Sequence, residues 1–391
     1  MRRTFVFKLK PTAAQAAGLE RYLEVTRRLY NAALEQRIAV YRGCGESRGW
    51  RAQSREIRDV REAGMLEGCH VHAAQTALKR LDLAYNAFFR RLRAGVRRNG
   101  FPRFKAARHW RSVQFKEWGN GVSLDADARR LKISGVGSVR VRLHRPLQGV
   151  PKTCALVKKA DGWYAHIVCD LGAAPVVVDP ELVPESGRVA FDLGVESLAT
   201  LDDGSAIENP RHLRHAARKL RHEQKALARC QRGSRRRERQ RERVARAHLK
   251  LARARRDFHH KRALALAERY TAVAVEDLTV TAMVASAKGT IDKPGRGVRQ
   301  KAGLNRSILD AGWSQFLTVL GEKLEARGGV LVRVDPRGTS QECSRCGTRV
   351  PKALSERCHE CPACGLSMHR DHNAAINIYH RAWAVPVAEA A

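Results

Sequence analysis

The feature that most restricts how this chain can fold is its positive charge. Its 391 residues include 74 Lys and Arg but only 39 Asp and Glu, so the formal net charge at pH 7 is +35. Self-repulsion of this size opposes compaction unless a polyanion shares the structure. Because 43% of the residues are hydrophobic, the chain can still bury real cores. The composition therefore predicts a multidomain folded protein with a nucleic acid as its partner.

Other classes of protein fit the sequence less well. No run of 18 or more apolar residues is present, and the N-terminal MRRTFVFKLKPT lacks the apolar core of a signal peptide. The ten cysteines do not form a disulfide framework, which suits a reducing compartment. No segment pairs a basic face with a strongly apolar one, so we expect no membrane partner. A protein that merely coats RNA would not explain the carboxylates and cysteines described below.

Hydrophobic periodicity divides the first 170 residues into a β part and a helical part. Residues 4–10 alternate as a strand, and Thr12 with Gln15 fits a capping box that starts a helix. A second helix carries one apolar stripe, made of Val71, Ala74, Leu78, Leu81, Tyr85, Phe88 and Leu92. From residue 112 the period changes to two in several short segments. These patterns predict a β-barrel or curled sheet from residues 1–11 and 110–170, with a helical insertion over 12–109.

The remaining chain is predicted to start with a linker over 171–187, which is rich in Pro, Gly and Ala. Residues 211–262 contain 21 Lys and Arg and four Asp and Glu, and Gly233 and Ser234 divide them into two helical patterns. A merely solvated face usually mixes both signs, so this pair of antiparallel helices is predicted to contact a polyanion. Residues 286–304 are basic and Gly-rich, and they predict a long flexible loop.

Three acids stand in a context that is typical of metal sites. Asp192 ends an apolar strand, Glu276 closes a second one, and Asp371 precedes a helical run. A carboxylate in a buried strand is costly unless it is paired or holds a metal. Each acid alone has an ordinary explanation as a turn residue or helix cap. Together, however, they suit two Mg²⁺ ions about 3.5–4 Å apart at a phosphodiester.

Four cysteines give the strongest local signal in the chain. Cys343 and Cys346 form one CxxCG pair, and Cys361 and Cys364 form another after fourteen intervening residues. Two such knuckles predict a four-cysteine zinc ribbon over residues 341–365, with one structural Zn²⁺ because protein atoms fill all four positions. Cys358 and His359 are alternative ligands, since residues 358–361 are also a CxxC.

At this point the sequence resembles a known family. The segments FDLGVESLATLDDG, AVEDL, the two CxxCG knuckles and HRDHNAAINI resemble, in order, the RuvC-like nuclease motifs and zinc ribbon of the TnpB (OrfB) proteins of insertion sequences. LKPTAAQAAGLERYL, FPRFK, VRLHRPLQG, ADGWYAHIV, LNRSILDAGWSQF and VDPRGTSQECSRCG resemble further family segments, so the resemblance covers nearly the whole chain. One departure is His369, where many members have Asp.

The resemblance implies an α+β multidomain fold and an activity. It implies a wedge-like N-terminal β-barrel, then a RuvC or RNase H-like α/β nuclease domain over 188–340 and 366–391 with the zinc ribbon inserted. It implies an RNA-guided DNA endonuclease whose guide RNA comes from the end of the element and whose target carries a short adjacent motif. The family's catalytic acids fall on Asp192, Glu276 and Asp371, and its zinc ligands on Cys343, Cys346, Cys361 and Cys364. A prokaryotic, cytoplasmic protein that associates with the nucleoid on binding DNA is expected.

The sequence also suggests individual contacts to nucleic acid. Arg103 and Lys105, flanked by Phe101 and Phe104, suit charge and stacking contacts, and Gln75 is a candidate for reading bases beside the target. One copy of the chain per RNA is favoured, and two copies remain an alternative. The competing functions are a compact type V CRISPR effector, a non-cutting RNA-guided DNA-binding regulator, a protein-only transposase, and an accessory protein of transposition.

Overall fold

The structure is a computed structural model that describes residues 1–96, 99–173, 175–353 and 356–384. The chain divides into two compact units, Met1–Ala173 and Ala174–Ala391. This division falls within the segment predicted as a linker. Part of that segment forms two short 3-10 turns, Pro180–Leu182 and Glu185–Gly187. None of the helices in the described ranges combines the length and apolar character that a membrane crossing requires.

The first unit is built on an antiparallel sheet, to which its described residues contribute seven strands. They are β1 (Arg2–Lys10), β2 (Ser112–Phe115), β3 (Val122–Asp125), β4 (Arg130–Ile133), β5 (Gly137–Arg142), β6 (Val150–Lys159) and β7 (Gly162–Asp170). The order is β2-β6-β7-β1-β5-β4-β3, so the N-terminal strand lies in the centre of the sheet. Strands β2 and β3 form its two edges, so the sheet is an open form of the predicted barrel or curled sheet. Strand β3 is not predicted from the sequence, although it is as long as β2 and β4.

Helices separate β1 from the rest of this sheet. Those in the described part of the insertion are α1 (Ala13–Cys44), α2 (Trp50–Arg55), α3 (Ile57–Glu62) and α4 (Val71–Arg93). The capping box at α1 is present, since the Thr12 hydroxyl accepts from the Gln15 amide at 3.3 Å and the Gln15 side chain accepts from the Thr12 amide at 3.1 Å. The apolar stripe of α4 is buried at Ala74, Leu78 and Leu81. It shares a core with the alternate side chains Phe5, Phe7 and Leu9 of β1.

The second unit contains a mixed sheet, with five strands in the part of the chain that the structure describes. They are β8 (Arg188–Asp192), β9 (Ser197–Leu201), β10 (Ala206–Glu208), β11 (Ala272–Glu276) and β12 (Val330–Val334), in the order β10-β9-β8-β11-β12. Strands β8, β11 and β12 are parallel, whereas β9 and β10 are antiparallel neighbours. A two-stranded hairpin of β13 (Cys358–Glu360) and β14 (Ser367–His369) belongs to the cysteine-rich segment. That hairpin extends past residue 365, where the ribbon was predicted to end.

Helices pack on this sheet. The described residues of the second unit form α5 (His212–Ala228), α6 (Arg235–Arg269), α7 (Val280–Met283), α8 (Val298–Ala311), α9 (Trp313–Glu325) and α10 (Arg370–Trp383). Successive side chains of a strand point to opposite faces. Accordingly, Val189 and Phe191 of β8 pack with α6 and α9, whereas Ala190 packs with Ile378 of α10. The mixed sheet therefore carries helices on both faces.

The prediction of a flexible loop over 286–304 is wrong in its second part. Helix α8 begins at Val298, so the irregular segment ends at Gly297. Two side chains of α8 hold its first turns to the end of α7, because Lys301 Nζ donates to the Met283 carbonyl at 2.6 Å and Asn305 Nδ2 donates to the Val284 carbonyl at 2.9 Å. The start of this helix cannot be predicted from apolar periodicity, because after Val298 its first two turns carry only one large apolar residue, Leu304.

Helices α5 and α6 form the predicted antiparallel basic pair. Gln240 Nε2 of α6 donates to the Glu223 carbonyl of α5 at 3.1 Å, and the ring of Phe258 lies 5.9 Å from that of His212. The buried Asp310 of α8 anchors the pair, because its carboxylate accepts from the Leu213 amide at 2.9 Å and from Arg255 Nη2 at 2.8 Å. The start of α5 and the interior of α6 are thus both held by the buried carboxylate of Asp310.

Candidate functional site

The three acids singled out in the sequence come from separate elements that meet at one edge of the mixed sheet. Asp192 ends β8 and Glu276 ends β11, each four residues after the paired residues Arg188 and Ala272. Because these strands are parallel, the two carboxylates occupy equivalent positions at neighbouring strand ends. They share the face of Ala190 and Ala274, which α10 covers.

Asp371 is brought to the same edge by α10. It lies in the first turn of that helix, and its Oδ2 atom is 3.8 Å from the position that a Cβ would occupy at Gly194, two residues beyond Asp192. Asp371 and Glu276 are 8% and 9% exposed. The fold thus gathers three carboxylates from distant parts of the sequence into a mostly buried cluster.

The electrostatics of this cluster are unfavourable for bare carboxylates. Burial, with the charges of Glu276 and Asp371, raises the pKa of Asp192 well above its usual range, and Arg370 only partly opposes this. Burial also raises the pKa of Glu276, against a hydrogen bond from Thr339 and the charge of Arg381. A carboxyl with a raised folded-state pKa destabilises the fold as pH rises through that range. The cluster therefore fits a bound divalent cation, which supplies the missing positive charge.

The four predicted cysteine ligands form a second cluster. Their sulfur atoms all lie within 4.8 Å of one another, with Cys343 Sγ 3.6 Å from Cys364 Sγ and Cys346 Sγ 3.5 Å from Cys361 Sγ. Four sulfurs at about 2.3 Å from a tetrahedral zinc would be separated by about 3.8 Å, so the observed spacing suits that ion. Among the described residues, this is the one set of three or more Cys, His, Asp or Glu that is this compact.

The alternative ligands and the family departure lie elsewhere. Cys358 is exposed on β13, and His359 is fully buried, but neither belongs to the compact set of sulfurs. His369 is the N-cap of α10, where its Nδ1 accepts from the Asp371 amide at 3.2 Å. The Asp that many family members have at this position would also be a favoured N-cap residue. His369 therefore replaces one helix cap by another, two residues before the third carboxylate.

The three single residues predicted to contact nucleic acid, Gln75, Arg103 and Lys105, lie in the first unit. Gln75 is half-buried on α4, and its Oε1 atom has no hydrogen-bond partner among the described residues. Arg103 is exposed, as are the flanking Phe101 and Phe104. The backbone of Lys105 is tied to α1, since its amide donates to Asn31 Oδ1 at 2.8 Å. The segment is therefore firmly placed, with Arg103 and its two aromatic neighbours open to solvent.

A groove of about 710 Å³ runs between α5 and α6. Small and apolar side chains, including Ala216, Leu220 and Leu251, line it together with basic residues such as Lys219 and Arg246. Basic side chains of both helices thus border a concave surface.

Several polar residues of the motif segments lie around the carboxylates, and the sequence does not indicate their role. Thr339 Oγ1 donates to Glu276 Oε1 at 2.5 Å, and Asn377 Nδ2 donates to the Thr339 carbonyl at 2.8 Å. Asn373 and Asn377 lie four residues apart on α10, which places them on one helix face. The four-residue spacing is visible in the sequence HRDHNAAINI. The sequence does not show what this helix face contacts, because that depends on the path of residues 335–342.

Models of known protein families match the regions that contain the acids and the cysteines. Models of three families match: "Probable transposase" over residues 169–287, "Cas12f1-like, TNB domain" over 313–378 and "Helix-turn-helix domain" over 1–45. The first of these describes the OrfB proteins of IS605-type elements.

Two relatives match the chain over nearly its whole length. "Putative RNA-guided DNA endonuclease InsQ" of Escherichia coli is 32% identical, with 96% of this chain and 91% of that protein covered. "Putative RNA-guided DNA endonuclease" of Streptomyces pristinaespiralis is 30% identical, with 97% and 89% covered. A solved structure of "the mini-RNA-guided endonuclease CRISPR-Cas_phi3" is 10% identical, covers 100% of this chain and 93% of its own, and has a TM-score of 0.49. A likeness of that size does not define the fold.

Proposed function

The chain belongs to the TnpB (OrfB) family of insertion-sequence proteins, and from this membership we propose that it is an RNA-guided DNA endonuclease. The observation that carries the proposal is the convergence of Asp192, Glu276 and Asp371 at one edge of the mixed sheet of the second unit. On the same ground we assign residues 188–340 and 370–391 to a RuvC-like nuclease domain, since the β13–β14 hairpin of the cysteine-rich segment reaches His369. The first unit then corresponds to a wedge-like domain with its helical insertion.

The proposed reaction is hydrolysis of a phosphodiester without a covalent intermediate. Asp192, Glu276 and Asp371 would hold two Mg²⁺ ions, which when bound would activate water and stabilise the leaving oxygen. Arg370, whose Nε lies 3.5 Å from Asp371 Oδ1, restrains that carboxylate. Thr339 holds the carboxylate of Glu276 through its hydroxyl.

The proposed structural metal is one Zn²⁺ held by Cys343, Cys346, Cys361 and Cys364. Four thiolates leave no open position for a substrate, so its role would be to hold the two knuckles together.

The proposed partners are a guide RNA and a double-stranded DNA target. Pairing with the guide would supply most of the sequence specificity, and the protein would read a short flanking motif and the shape of the duplex. Phosphates would be contacted by the basic pair α5 and α6 and by Arg103 and Lys105. Gln75 would contact bases beside the target. We propose one copy of the chain per RNA, acting at the nucleoid of a prokaryotic cell.

The charge of α5 and α6 allows a direct test. Replacing the exposed residues Arg236, Arg239 and Arg243 of α6 by glutamine removes three cations from one helix face. If each contacts one RNA phosphate, the slope of log affinity against log salt should flatten by about 2, because each single-strand phosphate contact contributes about 0.7. The measurement is RNA binding at several salt concentrations. Glu238→Gln is the control, and it should not flatten the slope. An unchanged slope in the triple variant would show that these three arginines do not contact RNA phosphates.

The guide itself can be identified by sequencing the RNA that co-purifies with the protein expressed from its own locus. One dominant RNA that ends in sequence from outside the element is the expected result, and it provides the guide for a cleavage assay. A random mixture of cellular RNA would contradict the proposal and favour a protein-only nuclease or an accessory role in transposition. A neighbouring repeat array would favour the alternative of a compact CRISPR effector. A non-cutting regulator is disfavoured because all three acids are present.

A further inference from the structure

One face of α10 is hydrogen-bonded to the segment that leads from β12 into the zinc ribbon. Asn373, Asn377 and Arg381 recur every four residues, so they form a single stripe on this helix. All three bond to residues within 335–344. Arg381 Nη1 donates to the carbonyls of Asp335 and Arg337 at 2.7 and 2.8 Å, and its Nη2 pairs with Glu342. The stripe therefore fixes the path of this segment against the helix that carries Asp371.

The two asparagines make the closest contacts with the ribbon. Asn373 Oδ1 accepts from the Ser344 amide at 3.0 Å, inside the first cysteine knuckle, and its Nδ2 donates to the Glu342 carbonyl at 2.7 Å. Asn377 Nδ2 donates to the same carbonyl at 2.7 Å and to the Thr339 carbonyl at 2.8 Å. Asn373 is 0% exposed and Asn377 is 4% exposed. Buried amides with these bonds specify one arrangement, because any other would leave polar groups unsatisfied.

The network reaches the carboxylates through Thr339. This residue is 3% exposed, and its hydroxyl donates to Glu276 Oε1 at 2.5 Å while its carbonyl is held by Asn377. The backbone of Glu276 is already fixed by its strand, where it pairs with Val334 of β12. The hydroxyl of Thr339 thus determines which way the carboxylate at the end of that strand turns.

We propose that Thr339, Asn373 and Asn377 are positioning residues, through which the cysteine knuckle at Ser344 fixes Glu276 relative to Asp371. This inference rests on the proposed function, since it concerns how that site is held. Hydrogen-bonded partners of a metal ligand typically change metal affinity or activity about 10–100-fold when they are removed. A purely structural role for Thr339 would instead be to close the turn at Pro336, whose carbonyl lies 3.2 Å from the same hydroxyl.

The test is Thr339→Val, which keeps the branched shape of the side chain and removes its donor. Binding of Mn²⁺ to the full-length chain without RNA, measured by calorimetry, should weaken about 10–100-fold. The Mg²⁺ concentration for half-maximal DNA cleavage by the RNA complex should rise in parallel. Thr339→Ser restores the hydroxyl and should recover both values, whereas Ser340→Ala, at the adjacent half-buried position, should change neither. Asn377→Ala, which acts one step further away, should shift both in the same direction with the zinc content unchanged.

The outcomes separate this inference from the proposed function. Wild-type Mn²⁺ affinity in both Thr339→Val and Asn377→Ala, with binding abolished by Asp192→Ala, would overturn the positioning role and leave the nuclease assignment intact. A loss in Thr339→Val that Thr339→Ser does not recover would also overturn it, since the hydroxyl would then not be the group that matters. A wild-type chain that neither binds Mn²⁺ nor cleaves DNA would overturn both.

Discussion

Replacing Asp192 by alanine is expected to lower the rate of target-DNA cleavage by at least about 10³-fold, which corresponds to about 4 kcal/mol of transition-state stabilisation. The reason is its place in the cluster: Asp192 ends the strand between β9 and β11 and interacts with both other carboxylates. Binding of guide RNA and of target DNA should stay close to that of the wild type, because those contacts are assigned to other surfaces. The measurement is single-turnover cleavage of a guide-matched duplex, together with binding of the same duplex.

The stability of this variant distinguishes a lost ligand from a damaged fold. Burial and two like charges raise the pKa of Asp192, so without metal its ionised form destabilises the folded chain at neutral pH. With no divalent cation added, Asp192→Ala should therefore unfold at no lower temperature than the wild type. The matched control is Asp277→Ala, at an exposed carboxylate directly after Glu276 that pairs with Arg333 instead. Retained cleavage in Asp192→Ala would remove the three-carboxylate assignment.

Parts of the second unit were predictable from sequence because a polar residue interrupts an apolar pattern. Asp192 and Glu276 are recognisable as acids at the ends of otherwise apolar strands, and the structure places them on adjacent strands. The family resemblance that these motifs suggested is confirmed by the full-length relatives. The doubled CxxCG pattern favoured Cys361 and Cys364 over Cys358, and the compact set of sulfurs contains the former two.

Other parts of the site depend on tertiary contacts that no local pattern encodes. Thr339 lies in an irregular segment, and its role follows only from the turn that brings its hydroxyl to Glu276. The start of α8 is hidden because lysine and glycine are frequent in residues 286–304, while the bonds that hold the helix are made by Lys301 and Asn305 to backbone carbonyls around the end of α7. Asp310 is equally inconspicuous, since a lone acid in a helix gives no sign that it anchors the start of α5.

The arrangement of the second unit links the two clusters. Helix α10 starts with a carboxylate of the proposed nuclease site, packs its apolar face on the sheet, and turns its asparagine stripe to the cysteine segment. The cysteine segment is joined to the sheet at one end by β12 and to α10 at the other by β14. A structural ion that closes the ribbon would therefore constrain both connections, which explains why a site without an open position could still matter for cleavage.

Replacing Cys361 by serine is expected to remove most of the bound zinc and to destabilise the second unit by about 4 kcal/mol or more, the range associated with loss of a structural metal. Cys361 is 4% exposed, and its sulfur lies 3.5 Å from that of Cys346. Zinc binds the deprotonated thiolate of cysteine, and a serine hydroxyl does not ionise in this way at neutral pH, so it cannot replace the ligand. Zinc stoichiometry measured by mass spectrometry, with thermal unfolding of the same samples, checks both effects.

Comparison with a control variant, Cys358→Ser, identifies which residues bind the zinc ion. Cys358→Ser changes an exposed cysteine three residues earlier and should keep about one zinc per chain, as a tetrahedral four-thiolate site requires. Cleavage should fall in Cys361→Ser but not in Cys358→Ser, since only the former loosens the ribbon whose first knuckle Asn373 joins to α10. Unchanged zinc in Cys361→Ser would instead show that Cys358 or the fully buried His359 completes the site. In that case the ribbon would have to rearrange around its second knuckle, and the four-sulfur cluster would not be the native metal site.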